Sequence, residues 1–171
     1  MMSRPDRKQN ERLEVYEAFA RDLIRSHEWN GATRRIARIL APVDFSACSM
    51  WALRHAEEMA RRFGAELVLV HVDPVLPLGS DLVDDQIAGR KELDELVTLL
   101  RERGMVVRGL LRAGAPIEEI MRAASDEHAD LIVMGTHGRR GLEHVLIGSV
   151  AESVLRRASC PVLTVRHAPV R

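Results

Sequence analysis

The chain has few of the residues on which several large classes of protein depend. It carries only two cysteines, Cys48 and Cys160, which lack the CxxC spacing of a metal or redox motif. Aromatic residues make up 4% of the sequence, too few for the stacking surfaces that bind single-stranded nucleic acid. These shortages argue against a disulfide framework, a thiolate metal site and a nucleic-acid-binding surface. We expect both cysteines to be small buried residues in a reducing compartment.

An excess of charge and a long apolar run are absent as well. The 25 lysines and arginines balance the 25 aspartates and glutamates, so no net field draws the protein to nucleic acid or to an anionic membrane. The longest apolar runs, such as Leu67 to Val70, are far shorter than the ~20 residues that span a bilayer. The N-terminus also lacks the apolar stretch of a signal peptide. We therefore expect a cytoplasmic protein with no nucleic-acid and no membrane partner.

Several familiar catalytic and cofactor motifs are missing too. The seven histidines show no H-E-x-x-H spacing, so no metal ligands are predicted, and His71 within an apolar strand is interpreted as a satisfied core or cleft residue. There is no G-x-x-x-x-G-K-[ST], and no G-x-G-x-x-G follows the first predicted strand. Ordinary P-loop and dinucleotide-binding interpretations are therefore disfavoured.

What the sequence does contain, from residue 35 onward, is an alternation of short apolar runs with longer segments of helical period. This alternation is typical of successive βα units around a parallel sheet. It predicts an α/β domain, residues 35–171, with an open five-stranded parallel sheet and helices on both faces. The predicted strands are Arg35 to Asp44, Glu66 to Asp73, Met105 to Leu111, Ala129 to Gly135 and Cys160 to Arg166.

Interruptions in two of these runs predict which strands lie at the edges of the sheet. Arg108 and Gly109 break the third run, and the fifth begins at Pro161, whose missing N–H is tolerated at an edge or a strand start. The second and fourth runs are almost wholly apolar and should be buried on both faces.

Four helices are predicted between and after the strands. The first follows the capping residue Ser46 and ends at Gly64. The second spans about Asp84 to Arg103 and the third begins near Pro116. The fourth follows Ser149, with Val150, Val154 and Leu155 facing inward.

Two segments do not fit the repeat. Residues 1–34 contain an amphipathic pattern that ends at Asn30-Gly31, so we interpret them as an added N-terminal helical extension. Its apolar face needs a cover, either the domain itself or another chain, and the sequence leaves both open. Residues 75–83, VLPLGSDLV, are typical of a mobile flap beside a cleft.

The most informative motif runs from the fourth strand to the fourth helix. Gly135-x-x-Gly138 is followed by nine residues and then Gly148-Ser149. Glycines let backbone amides approach an anion, and a helix N-terminus adds a favourable field, so the segment is a candidate phosphate loop. The alternative is structural, because Ser149 and Glu152 form a capping-box pattern and the glycines can be turn residues.

Asp44 provides a second clue, because it follows the first strand at the edge where open α/β sheets bind ligands. If the first and fourth strands are neighbours, the strand order is 3-2-1-4-5 and Asp44 faces the glycine segment. A carboxylate there can accept hydrogen bonds from ribose hydroxyls. The alternative is an acid that stabilises the start of the first helix.

At these residues the sequence resembles the universal stress protein family. The resemblance rests on ILAPVDFS, ELVLVHV and ADLIVMGTHGRRGLEHVLIGSVAESVLRRASCPVLTV, in a match from about Arg35 to Arg166. The G-2x-G-9x-G-[ST] spacing resembles the ATP-binding branch of the family. The resemblance implies a Rossmann-like fold, a stress-response regulatory role, and a homodimer with an adenine nucleotide, ATP, as cofactor. Whether Mg2+ or Mn2+ bridges the phosphates stays open.

The resemblance also implies a set of nucleotide-binding residues in this chain. Asp44 would lie near the ribose and Val72 near adenine. Gly138 and Arg139 would meet the phosphates, together with the start of the fourth helix. The full set is Pro42, Val43, Asp44, Val72, Met134, Gly135, Gly138, Arg139, Gly148, Ser149 and Val150. Val43 departs from the pattern, since many relatives carry a hydroxyl residue there.

Three further points follow from the resemblance and from the residues. Dimers of the family often use the last strand, here CPVLTVR, and an unknown protein partner is expected. A slow ATP hydrolase, in which His137, Glu143 or His144 orients water, is an alternative function. A second alternative is a protein-interaction module that uses no nucleotide.

Overall fold

A computed structural model describes residues 35–73, 83–138 and 147–166, with the side chains of residues 83–87 left out. All but the first of these residues belong to a unit spanning Ile36–Arg171. The predicted N-terminal helix, nearly all of the predicted flap and Arg139 lie outside the described residues.

The described residues form five strands and four helices in alternation. The strands are β1 (Arg38–Pro42), β2 (Glu66–Asp73), β3 (Val107–Ala113), β4 (Leu131–Gly135) and β5 (Val162–Val165). The helices are α1 (Ala47–Phe63), α2 (Val83–Glu102), α3 (Pro116–Asp126) and α4 (Ser149–Arg157). The largest differences from the predicted bounds are in two strands. β1 begins three residues later and ends two residues earlier than expected, and β3 begins and ends two residues later.

The strands form one parallel sheet in the order β3-β2-β1-β4-β5, which confirms the predicted order and the predicted edge strands. In β1, Leu40 lies opposite Val68 on one side and Ile132 on the other. Because side chains alternate along a strand, Ile39 and Ala41 enter one core and Leu40 enters another. The first core includes residues of α1 and α2, and the second includes residues of α3 and α4.

The predicted ends of α1 are confirmed. The side chain of Ser46 accepts a hydrogen bond from Ser49 N, and Gly64 closes the helix in the left-handed conformation with φ 63°. Only glycine adopts that conformation without a steric penalty from Cβ, which explains the residue found there.

The capping-box interpretation of α4 is wrong. Gly148 is the N-cap residue, with no side-chain cap bond, and Ser149 is already the first helical residue. The helix begins one residue early because the extended backbone of Gly148 lets its carbonyl accept from Glu152 N at 3.0 Å. Glu152 Oε1 instead lies 3.1 Å from Arg156 Nη2. The inward position of Leu155 is also wrong, since it is 40% exposed and Ala151 packs inward with Val154.

The two cysteines are free thiols and only half-buried, so the expectation of full burial is wrong. Cys48 lies in the first turn of α1, and its Sγ is 3.5 Å from the carbonyl oxygen of Val165. No helix within the described parts of the chain is long and apolar enough to cross a membrane.

Candidate functional site

The candidate site lies at the edge of the sheet where the parallel strands have their carboxyl ends. β1 ends at Pro42 and the neighbouring β4 ends at Gly135. Within the sheet, β2 lies on one side of β1 and β4 lies on the other. The gap between β1 and β4 is therefore the topological switch point. Open α/β sheets bind ligands in such a gap.

Asp44 is held in this gap by the start of α1. Its Oδ1 accepts hydrogen bonds from Ser46 N at 3.1 Å and from Ser46 Oγ at 2.6 Å. Its own N–H donates to Ser49 Oγ at 3.3 Å. The next residue, Phe45, has φ 60°, a left-handed conformation that turns the chain sharply between the strand and the helix. The carboxylate therefore has a defined orientation, and Oδ1 also serves the helix start, as the alternative interpretation of Asp44 expected.

Gly138 lies against the second oxygen of that carboxylate. A Cβ built on Gly138 would collide with Asp44 Oδ2, so a larger residue at this position would have to displace the carboxylate. The structure thus brings together two predicted site residues that are far apart in sequence. Gly138 is exposed and Asp44 is half-buried.

The two ends of the glycine segment also meet. Gly148 N donates to the carbonyl oxygen of Thr136 at 2.7 Å, and Thr136 N donates to the carbonyl oxygen of Val165 at 3.0 Å. Thr136 is buried, and its hydroxyl lies 3.0 Å from His137 Nδ1. Sequence reasoning missed Thr136, although a hydroxyl residue between a strand end and a glycine was a usable signal. These bonds hold the start of α4 beside the end of β4.

The N-terminus of α4 is therefore directed at the same edge of the sheet as Asp44. The first amides of a helix have no carbonyl partner within the helix, and together with the helix dipole they favour an anion. Ser149 is exposed at this turn, and Gly148 contributes no capping side chain. This arrangement can bind a phosphate group.

Comparison with known proteins identifies the family. The model of the universal stress protein family matches residues 35–166. The chain belongs to the universal stress protein family. A universal stress protein of Methanocaldococcus jannaschii is 37% identical over 140 residues, which cover 75% of this chain and 81% of the relative.

Solved structures with a similar fold include that of a hypothetical protein of the same organism. It is 29% identical, with a TM-score of 0.70, and the match covers 80% of this chain and 99% of that one. The universal stress protein of Archaeoglobus fulgidus in complex with dAMP is 27% identical, with a TM-score of 0.59. That match covers 75% of this chain and 96% of the other.

Gly135 has a packing role in this universal stress protein domain. A Cβ at this position would lie 2.9 Å from Cys48 Sγ and 3.0 Å from the carbonyl carbon of Cys48. Glycine thus lets the backbone of α1 pack directly on the end of β4. Contact of Gly135 with a nucleotide stays a prediction.

The remaining predicted residues are distributed over both faces of the sheet. Val43 is 3% exposed and packs in the core that contains α1 and α2. Val72, Met134 and Val150 pack in or against the core that contains α3 and α4. Pro42 is buried at the last position of β1. Because the side chain of Val43 points into the core, a hydroxyl at this position would also face the core.

Of the residues named for hydrolysis, only His137 is described, and its ring is bonded to Thr136. Glu143 and His144 lie outside the described residues. Within the described parts of the chain, no group of three or more His, Cys, Asp or Glu side chains stands close enough to hold a metal ion.

Two acids with a lowered pKa, Glu66 and Glu127, lie at the opposite, amino edge of the sheet. Glu66 is 3.1 Å from Arg38 Nε and 2.7 Å from Arg108 Nε, and Arg108 also pairs with Glu127. Partial burial would raise the pKa of Glu66, but the bonds from the two guanidinium groups outweigh it and lower that pKa. The hydrogen bond from Arg108 lowers the pKa of Glu127. These groups join β1, β2 and β3 to the end of α3.

Proposed function

We propose that this universal stress protein binds ATP, or another adenine nucleotide, in the gap between the carboxyl ends of β1 and β4. It would act as a stress-response regulatory homodimer that responds to the bound nucleotide. The observation that carries the proposal is the close approach of the Asp44 carboxylate to Gly138. That contact joins the predicted ribose-binding acid to the predicted phosphate loop.

The chemistry of the two sides matches the two parts of a nucleotide. A carboxylate oriented by Ser46 can accept hydrogen bonds from ribose hydroxyls. The exposed start of α4 offers backbone amides and the Ser149 hydroxyl to phosphates, and Arg139 can add charge from the loop. The dAMP bound by the Archaeoglobus fulgidus relative gives independent support for an adenine nucleotide.

A divalent ion, Mg2+ or Mn2+, would be held mainly by the phosphates and water. Magnesium ions commonly bind in this way, with few protein ligands. The absence of a carboxylate or histidine cluster among the described residues is compatible with that arrangement.

The decisive test is binding of ATP by the purified protein. Isothermal titration calorimetry should detect ATP binding, and mass spectrometry of gently purified protein should detect a released adenine nucleotide. Gly138→Val should weaken binding at least about tenfold, because its side chain would occupy the space between the loop and Asp44. Ala37→Val, a similar change at an exposed position near the amino edge, is the matched control. No binding up to millimolar ATP, or unchanged affinity in folded Gly138→Val protein, would contradict the proposal.

The homodimer part of the proposal rests on β5. This strand pairs with β4 on one side and forms an outer edge of the sheet, and Leu163 on it is 38% exposed. An edge strand with apolar side chains readily pairs with another chain. Light scattering coupled to size exclusion should give a dimer mass for the native chain and a monomer mass for Leu163→Asp. A native monomer, or a dimer unaffected by Leu163→Asp, would refute this interface.

A further inference from the structure

His71 is a buried polar residue beside the candidate site, near the end of β2. It is 7% exposed, in agreement with the interpretation of a satisfied core or cleft histidine. Its Nδ1 lies 2.7 Å from the carbonyl oxygen of Val43, and its Nε2 lies 3.1 Å from Asp73 Oδ1. Asp73 is itself 8% exposed. The ring is therefore bonded at both nitrogens within the protein.

The protons in this arrangement follow from the identity of the partners. A carbonyl oxygen only accepts, so Nδ1 carries a proton and donates it to Val43. Nε2 and Asp73 Oδ1 can form a hydrogen bond only when one further proton is carried by the ring or by the acid. The imidazole orientation is thus determined by two bonds, and the buried carboxyl of Asp73 has its partner.

Both residues that flank Asp44 contact this ring, one by a hydrogen bond and one by packing. Val43 accepts the Nδ1 hydrogen bond, and the Phe45 ring packs on the imidazole with centroids 4.6 Å apart. Phe45 also has the left-handed φ of 60°, which is unfavourable for a residue with a side chain and persists only when its surroundings stabilise it. His71 therefore holds the turn on both sides of Asp44.

Helix α2 packs against the other side of the His71–Asp73 pair. A Cβ on Gly89 would lie 2.8 Å from His71 Nε2 and 3.1 Å from Asp73 Oδ1. The glycine leaves just enough space for the ring and the acid, so a larger residue there must displace them.

We propose that His71 is a positioning residue for the candidate nucleotide site. Through Val43 and Phe45 it holds the turn in which the Asp44 carboxylate meets a ribose hydroxyl, while Asp73 and Gly89 hold His71. This inference rests on the proposed function, in which Asp44 binds an adenine nucleotide.

Two substitutions separate the two hydrogen bonds of the ring. The amide nitrogen of Asn is as many bonds from Cα as Nδ1, so His71→Asn can keep the bond to Val43. The amide nitrogen of Gln corresponds in the same way to Nε2, so His71→Gln can keep the bond to Asp73. Both variants lose the ring that packs on Phe45, and only His71→Gln also loses the bond to Val43. By calorimetry, His71→Gln should therefore bind ATP about tenfold more weakly than His71→Asn.

A double substitution tests whether His71 affects ATP binding through Asp44. In an Asp44→Ala background, His71→Gln should cause no further loss of ATP affinity, because the group that it positions is already gone. Equal losses in His71→Gln and His71→Asn, or additive losses with Asp44→Ala, would overturn the proposal.

Gly89→Ala should weaken ATP binding like His71→Gln. Gly109→Ala is the control, because its Cβ would crowd Val97 and Leu93 of the same helix at 3.0 and 3.1 Å, away from His71. It should lower stability and leave affinity unchanged. A similar loss of ATP affinity in both variants would contradict the role of His71.

A measurement without nucleotide keeps the two proposals distinguishable. The Ser46 amide, which donates to Asp44, should exchange its proton about tenfold faster in ligand-free His71→Gln than in His71→Asn. If the native chain binds no ATP but this difference is seen, the proposed function fails and the positioning of the turn is supported. If ATP binds and neither exchange nor affinity separates the two variants, the positioning role fails and the proposed function stands.

Discussion

The two edges of the sheet use carboxylates in different surroundings. At the amino edge, Glu66 lies between two guanidinium groups, Arg38 and Arg108, and its charge is neutralised locally. At the carboxyl edge, Asp44 is oriented through Oδ1 by the amide and hydroxyl of Ser46, which are neutral donors. Ion pairs tie strands together, whereas Asp44 is oriented at the edge where open α/β sheets bind their ligands. Substitutions at the amino edge should therefore change stability, and substitutions at the carboxyl edge should change binding.

The largest expected effect directly tests whether the carboxyl edge serves binding and the amino edge serves stability. Asp44→Asn should weaken ATP binding by about 10- to 100-fold, because a charged acceptor for the ribose is lost. The amide oxygen can still accept from Ser46, so the free energy of unfolding should change by less than about 1 kcal/mol. Calorimetric titration and urea unfolding measure the two quantities.

Asp130→Asn is the matched control at the amino edge, where Asp130 Oδ2 accepts from Ala37 N at 2.9 Å and from Arg38 N at 3.0 Å. It should leave ATP affinity unchanged. Equal losses of affinity in the two variants would remove the distinction between the edges.

Gly135→Ala tests whether this carboxyl-edge residue is needed for packing. The added Cβ would crowd the backbone and Sγ of Cys48, and overpacking of this kind costs about 1–3 kcal/mol of unfolding free energy. Urea denaturation gives the value. Gly104→Ala is the control, since its Cβ would meet no atom within 4 Å and only its φ of 78° adds strain, about 1 kcal/mol. A larger loss at Gly104 than at Gly135 would contradict the packing argument.

Breaking the ion-pair network should lower stability without affecting binding. Arg108→Met removes the partner shared by Glu66 and Glu127, and all three side chains are only partly exposed. The expected loss of about 1–2 kcal/mol lies between the values for exposed and buried pairs. Thermal or urea unfolding would detect it, with ATP affinity as the internal control. Reduced affinity in a folded Arg108→Met protein would argue against separate roles for the edges.

The smallest effect concerns acid stability. The hydrogen bond from Arg108 lowers the pKa of Glu127 from its ordinary value of 4.5. A lowered pKa in the folded state stabilises the protein above the ordinary pKa, and this contribution is lost as pH falls below about 4.5. Glu127→Gln should therefore flatten the fall in unfolding free energy below that pH.

Glu58→Gln removes an exposed i,i+4 pair with Arg62. It should change the fall in unfolding free energy at acid pH less than Glu127→Gln does. Urea unfolding at a series of pH values from about 6 to 3 measures both slopes. Equal slopes for the two variants would exclude a special contribution from Glu127.

The sequence was sufficient for most local features of the fold. The apolar runs that became β2 and β4 are buried, and Ser46 and Gly64 bound α1 as their chemistry predicts. It was misleading at α4, where a good capping pattern is overridden by the extended backbone of Gly148 and its bond to Thr136. The capping pattern of the neighbouring residues would have placed this boundary one position later.

The sequence by itself determined the elements, the edge strands and the residue types at the candidate site, because side-chain periodicity, capping and glycine conformation depend on near neighbours. Only the tertiary structure decided that Asp44 meets Gly138, that Gly135 packs on Cys48 and that His71 bridges Val43 and Asp73. These contacts join residues from different strands and helices. They form only when β1 lies between β2 and β4 with α1 and α2 packed against the sheet, and no local pattern specifies those distances.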